Sequence, residues 1–189
     1  MTTLITGFEP FEAWRQNTSE LAVRRLAELA LPSVVTAVLP VSYTRAGERV
    51  AELLEAHRPS TLILLGLAGT ADRLRLERTA RNRDDSPRPD MDGVAGTGHA
   101  IVASAPDTYP TTLPLAEMAR AAEELGARIE YSNDAGGYVC NHTFFIAQHL
   151  TASRFPTCRS GFVHVPDWAS NEAELARLVS ILKRWHERS

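Results

Sequence analysis

Apolar residues along this chain recur with two spacings, and the switches between them divide it into strands and helices. Residues 3–6 form a short β-branched run that ends at Gly7 and reads as a strand. Next, Leu21, Ala22, the Arg24 stem, Leu26 and Leu29 fall at helical spacing; Thr18 or Ser19 can cap that helix, and Pro32 marks its end. Residues 34–39 predict a second strand, closed by Pro40. A second helix is predicted over 44–57, with Ala46, Val50, Leu53 and Leu54 turned inward and Pro59 following. Residues 61–66 are continuously apolar, the pattern of a strand covered on both faces. Over 74–80, Leu74 and Leu76 alternate with Arg75 and Glu77, which predicts a strand covered on one face only.

The texture changes between Asn82 and Thr112. Asp84, Asp85, Pro87, Pro89, Asp90, Gly93, Gly96 and Gly98 predict a long polar loop, broken by a short strand at 100–103. Loops of that length in compact domains are usually functional or mobile. Helical spacing returns over 113–125, ends at Gly126, and gives way to a short strand at 127–131. Residues 139–150 are again helical, and 161–165 form a strand stopped by Pro166. The last helix begins near Ser170 or Asn171 and carries Leu175, Leu178, Val179, Leu182 and Trp185 on one face. Strands and helices alternating in this order predict an α/β layered fold with a mainly parallel sheet flanked by helices.

Composition narrows the class. With 189 residues the chain can bury about 70% of its unfolded surface as one domain, so a single domain over 1–189 is expected. A net charge of −3 leaves no basic footprint, so no nucleic-acid partner is expected. No apolar run approaches the roughly 20 residues of a spanning helix, and the first residues lack the basic and apolar regions of a signal peptide. Two cysteines, with no CxxC or His-rich spacing, predict neither a disulfide framework nor a metal site. The expectation is a cytoplasmic protein with reduced thiols, bound to no membrane.

Chemistry gathers in a few places. Cys140 follows the pair Gly136-Gly137, where a strand hands over to a helix. A thiol in the first turn faces the positive end of the helix dipole, which favours the nucleophilic thiolate, although free cysteines are also common as small buried hydrophobes. His164 sits at the carboxyl end of its strand, where ligands of open α/β sheets gather, or is a packed core histidine. Glu77 can orient an imidazole through its second nitrogen, or is a solvated strand residue. Near the N-terminus, Phe8 and Phe11 flank Glu9 on a loop after the first strand and can wall an apolar pocket. Glu9 between them needs solvent, an arginine or backbone N–H groups. The turn Gly66-Leu67-Ala68-Gly69 lacks the glycine pattern and lysine of phosphate loops. Cys158 reads as a spare thiol.

Together these motifs resemble the pyrrolidone carboxyl peptidases, cysteine peptidases that remove N-terminal pyroglutamate. Gly7-Phe8-Glu9-Pro10-Phe11 resembles the family's opening motif, with Asn17 and Ser19 where it usually reads Asn-Pro-Ser or Asn-Pro-Thr, and Leu39-Pro40-Val41 matches the end of its second strand. Glu77-Arg78, then Ala80 and Asn82, is similar to E-R-x-A-x-N. Ser132-Asn133, Ala135-Gly136 and Tyr138-Val139-Cys140-Asn141 resemble S-N-x-A-G-T-Y-V-C-N, the nucleophile segment. Gly161-Phe162-Val163-His164-Val165-Pro166 resembles G-F-I-H-V-P, the segment of the histidine. The resemblance implies an α/β/α sandwich with a twisted mixed sheet, no cofactor, and a homodimer or homotetramer. It also implies a triad of Cys140, His164 and Glu77, acting on small peptides with N-terminal pyroglutamate, and a pocket to which Phe8, Phe11, Leu67, Val139 and Arg88 contribute.

Three departures stand out. Leu67 and Thr70 replace a glutamine and a glycine of the usual G-Q-A-G-G-R. Asp85-Ser86-Pro87-Arg88-Pro89-Asp90 stands where D-A-R-I-P-D is usual, which puts Pro87 at the arginine's place and Arg88 one residue later. Arg81 replaces a usually apolar residue. Two alternatives therefore stay open: a cysteine amidase or peptidase of shifted specificity, and a non-catalytic binding module of the same fold.

Overall fold

In the computed structural model, residues 1–11 and 14–188 are described. Glu12, Ala13 and Ser189, which the expected domain over 1–189 includes, lie outside the described residues. The element order is β1 (Thr3–Phe8), α1 (Thr18–Glu28), β2 (Val34–Leu39), α2 (Tyr43–His57), β3 (Thr61–Leu67), β4 (Leu74–Glu77), β5 (Thr79–Arg81), β6 (Thr108–Pro110), α3 (Leu115–Glu123), β7 (Ile129–Ser132), α4 (Val139–Ser153), β8 (Arg159–Val165) and α5 (Glu172–Glu187).

Six strands form one sheet in the order β2-β1-β3-β8-β4-β7, while β5 and β6 make a separate antiparallel pair. Neighbours in the large sheet are parallel except β4 and β8, which run antiparallel. Alternate residues of each central strand serve opposite faces. Leu4, Leu62, Leu64 and Phe162 pack with Val50, Leu54, Phe144 and Phe145 of α2 and α4. Ile5, Ile63, Leu65 and Val163 pack with Leu26, Met118, Leu178 and Leu182 of α1, α3 and α5. The result is the expected three-layer α/β/α sandwich with a mixed, mainly parallel sheet. Every residue of β3 is buried, as its unbroken apolar run requires.

Local chemistry moves several boundaries. Helix α1 is capped by Asn17, not by Thr18 or Ser19. The Asn17 Oδ1 accepts from both the Ser19 N–H and hydroxyl, and the Ser19 hydroxyl in turn accepts from Phe8 N–H, which carries β1 past Gly7. Leu29 is the C-cap of α1 and is 49% exposed, not part of its apolar face. The strand expected over 74–80 is two strands. At Arg78 the chain leaves the large sheet: its N–H donates to Ser132 O, its carbonyl accepts from Thr111 N–H, and its guanidinium stacks on Tyr131. Residues 100–103 form no strand. Asn82 gathers them into a turn by exchanging two hydrogen bonds with Val102, and the strand of this long segment is β6 instead. Cys158, 5% exposed, belongs to the core beneath α2 and α4.

Candidate active site

Cys140 is the second residue of α4 and lies half-buried at the carboxyl edge of the sheet. The N-cap residue Tyr138 supplies no side-chain acceptor to the helix. The N–H groups of a first helical turn have no partner within their own helix and project from its end. Beneath the thiol lies Gly66 of β3, in register with His164 of β8. A Cβ at Gly66 would stand 2.9 Å from Cys140 Sγ and 2.6 Å from the Phe162 ring, so only glycine lets the helix start this close to the sheet.

His164 and Glu77 come from the two antiparallel strands. Arg75 lies opposite His164 and Glu77 opposite Phe162, which puts Glu77 and His164 diagonally on one face. Glu77 Oε1 is 2.7 Å from His164 Nδ1, and Glu77 is fully buried. A carboxylate there is not the solvated strand residue that alternation with Arg75 allowed. Burial opposes charge on His164, but hydrogen bonds with Cys140 and with Glu77 outweigh it and push its pKa up to about 9. The raised value favours the protonated imidazole, placed between the Cys140 sulfur and the Glu77 carboxylate.

A pocket of about 590 Å³, open to solvent, lies over the Cys140–His164 pair. Phe8, Phe11, Leu67, Val139 and Arg88, the five residues expected there, all line it. Arg88 reaches the pocket despite its one-residue offset, with its guanidinium 5.5 Å from the Tyr138 ring centre. Asn17, Val41, Ala135 and Tyr138 complete the wall, and these were not singled out as site residues. Each sits inside or beside a motif already quoted, so the signal was present but assigned no role. Glu9 settles its charge on backbone: its Oε1 accepts from Val41 N–H at 3.1 Å.

Around the site, buried polar side chains tie the long loop down. Asn141, fully buried beside Cys140, accepts from Arg81 N–H and donates to the carbonyls of Arg81 and Arg83. Asp90 accepts from the N–H groups of Tyr43, Asp92 and Val94. Among the described residues no cluster of three or more His, Cys, Asp or Glu could hold a metal ion, and no helix is long and apolar enough to cross a membrane.

A thiol, an imidazole and a carboxylate in series on an α/β/α scaffold define the class of cysteine hydrolases that work by acyl transfer. The family profile described as pyroglutamyl peptidase matches residues 1–176. A pyrrolidone-carboxylate peptidase of Levilactobacillus brevis is 38% identical over 167 residues, covering 88% of this chain and 82% of the relative. One of Cupriavidus taiwanensis is 40% identical over 169 residues, covering 87% and 78%. Pyroglutamyl peptidase I of Bacillus amyloliquefaciens superposes with a TM-score of 0.91 at 29% identity, covering 97% of this chain and 94% of that one. The chain belongs to the pyroglutamyl peptidase family.

Proposed function

We propose that this chain is a cysteine exopeptidase that removes N-terminal pyroglutamate from peptides, with Cys140 as nucleophile, His164 as acid–base and Glu77 as the group that orients the imidazole. The observation that carries the reading is the convergence of Cys140, His164 and all five expected pocket residues on one cavity, with Glu77 buried behind His164 at 2.7 Å.

The reaction follows from the geometry. With its proton held on His164, the Cys140 sulfur attacks the pyroglutamyl carbonyl carbon, and the negative charge passes to the carbonyl oxygen. First-turn N–H groups of α4 face that oxygen, each such donor being worth about 3–4 kcal/mol in related chemistry. His164 gives its proton to the departing amine as the C–N bond breaks, leaving a thioester. Water, deprotonated by His164, then releases pyroglutamate and restores the thiol. The lactam ring is neutral and compact. Phe8, Phe11, Leu67 and Val139 supply apolar walls for it, and a blocked N-terminus has no ammonium to anchor.

The same reading carries a single domain over 1–189, a homodimer or homotetramer measurable by light scattering, and a reducing cytoplasmic setting suited to two free cysteines. The direct test is fluorophore release from a pyroglutamyl naphthylamide, with the prolyl analogue as control. Wild type should cleave only the lactam substrate, and Cys140→Ala should lose at least about 10³-fold in kcat. A folded wild type that cleaves neither would sink the assignment.

A further inference from the structure

The turn from Ser132 to Tyr138 sets where α4 begins, and so where its first-turn N–H groups point. Its internal ties are local: the Ser132 hydroxyl donates to Asp134 O, and Gly136 N–H donates to Asp134 Oδ1 at 3.0 Å. Gly136 adopts φ +84°, a left-handed conformation that suits glycine. From β5, the side chain of Arg81 grips this turn. Its Nη2 donates to the Gly136 carbonyl at 3.0 Å, and its Nε lies 3.2 Å from the Asp134 carboxylate, an ion pair without the alignment of a hydrogen bond. Its Nη1 lies 3.5 Å from Asp85, which Arg83 also approaches at 3.4 Å. The Asp85 carboxylate fills the space beside Gly137, where a Cβ would come within 1.8 Å of Oδ1. The backbone of Arg81 is itself locked to Asn141, the residue after Cys140, by bonds of 2.9 Å in both directions.

We infer that Arg81 is a positioning residue for the oxyanion site, a role that rests on the peptidase reading above. Its guanidinium holds the turn at two points while its backbone is fixed to the nucleophile helix, so the Val139 and Cys140 N–H groups keep their aim. Charge attraction is not the point. The Arg81 and Asp134 side chains are 32% and 67% exposed, and solvent screens such pairs heavily. What the planar fork supplies is a fixed distance between turn and helix, and reacting geometry is sensitive to displacements well below the size of an atom.

The test compares wild type with Arg81→Met, Arg81→Lys and Asp134→Ala, using the naphthylamide substrate and two inhibitors. Pyroglutamyl aldehyde reports the oxyanion site: the Cys140 sulfur bonds its carbonyl carbon, and the π pair moves to the oxygen, which takes the His164 proton. 2-Pyrrolidone fills the pocket without forming a bond. Arg81→Met should lower kcat roughly 10- to 100-fold, with KM changed by no more than about twofold. Aldehyde inhibition should weaken by a similar factor while 2-pyrrolidone inhibition holds. Arg81→Lys should recover part of kcat, and Asp134→Ala should lower it in the same direction. The melting temperature should shift by less than about 4 °C. If Arg81→Met fails to fold, Asp134→Ala decides by the same readouts. Wild-type kcat in the folded variants, or equal weakening of both inhibitors, would overturn the role. A wild type without turnover removes the peptidase reading as well; turnover in wild type with unaffected variants removes the positioning role alone.

Discussion

Glu77 illustrates how much a single contact changes at the residue scale. One carboxylate oxygen faces His164 Nδ1 at 2.7 Å, and the other is buried with no hydrogen-bond partner. Glu77→Gln keeps the shape but can present an N–H where the imidazole needs an acceptor, so kcat should fall by about 10² to 10⁴-fold with KM little changed. Activity within a few-fold of wild type would remove Glu77 from the triad. The same pair predicts a pH effect on stability. Burial works against charge on His164, yet Cys140 and Glu77 raise its pKa from 6.5 to about 9. A raised pKa means the folded chain binds the proton more tightly than the unfolded one. The resulting stability is complete below about pH 6.5 and lost as pH climbs through about 9. Urea unfolding should show wild type weakening across that window and His164→Gln lacking that part of the slope. Parallel slopes would refute the pairing. Residue types are legible in the sequence for all three groups; that they meet is implied by the family resemblance and not by any local pattern. Glu77 alternates with Arg75 like a solvated position because whatever covers a strand's second face is invisible from its own pattern, yet it is fully buried.

At the scale of elements, glycine at position 66 and the reversed strand β4 matter most. Gly66→Ala must push Phe162 or Cys140, and overpacking of this kind costs about 1–3 kcal/mol. The variant should melt lower and lose activity in greater proportion than its folded fraction falls; wild-type turnover per folded molecule would contradict the close approach. Elements with long apolar patterns, one-sided in α2 and α5 and unbroken in β3, stand close to where spacing puts them. The two shortest strands do not. β5 and β6 have three residues each, and their pairing depends on partners thirty residues apart in the chain. The α1 cap was misread because Ser19 spends its hydroxyl on β1, a contact between elements that no local rule contains. The reversal of β4 was equally beyond local reading, and it places Glu77 diagonally from His164.

The whole molecule is a sandwich whose two cores lie on opposite faces of one sheet, with the chemistry confined to the carboxyl edge where α4 begins. The pocket wall draws on β1, the segment after β2, the loop after β5 and the start of α4, so no contiguous stretch of sequence contains it. Only the shared family motifs made it readable in advance. Burial of the second cysteine has a further use. Cys158 is 5% exposed, and burial pushes its thiol up to about 11, which leaves it almost wholly unreactive toward alkylating agents near neutral pH. Iodoacetamide should therefore consume one equivalent per chain in the native enzyme, and none in Cys140→Ala. One accessible thiol thus makes the active site directly countable: label uptake plotted against lost turnover reads what fraction of the chains is working.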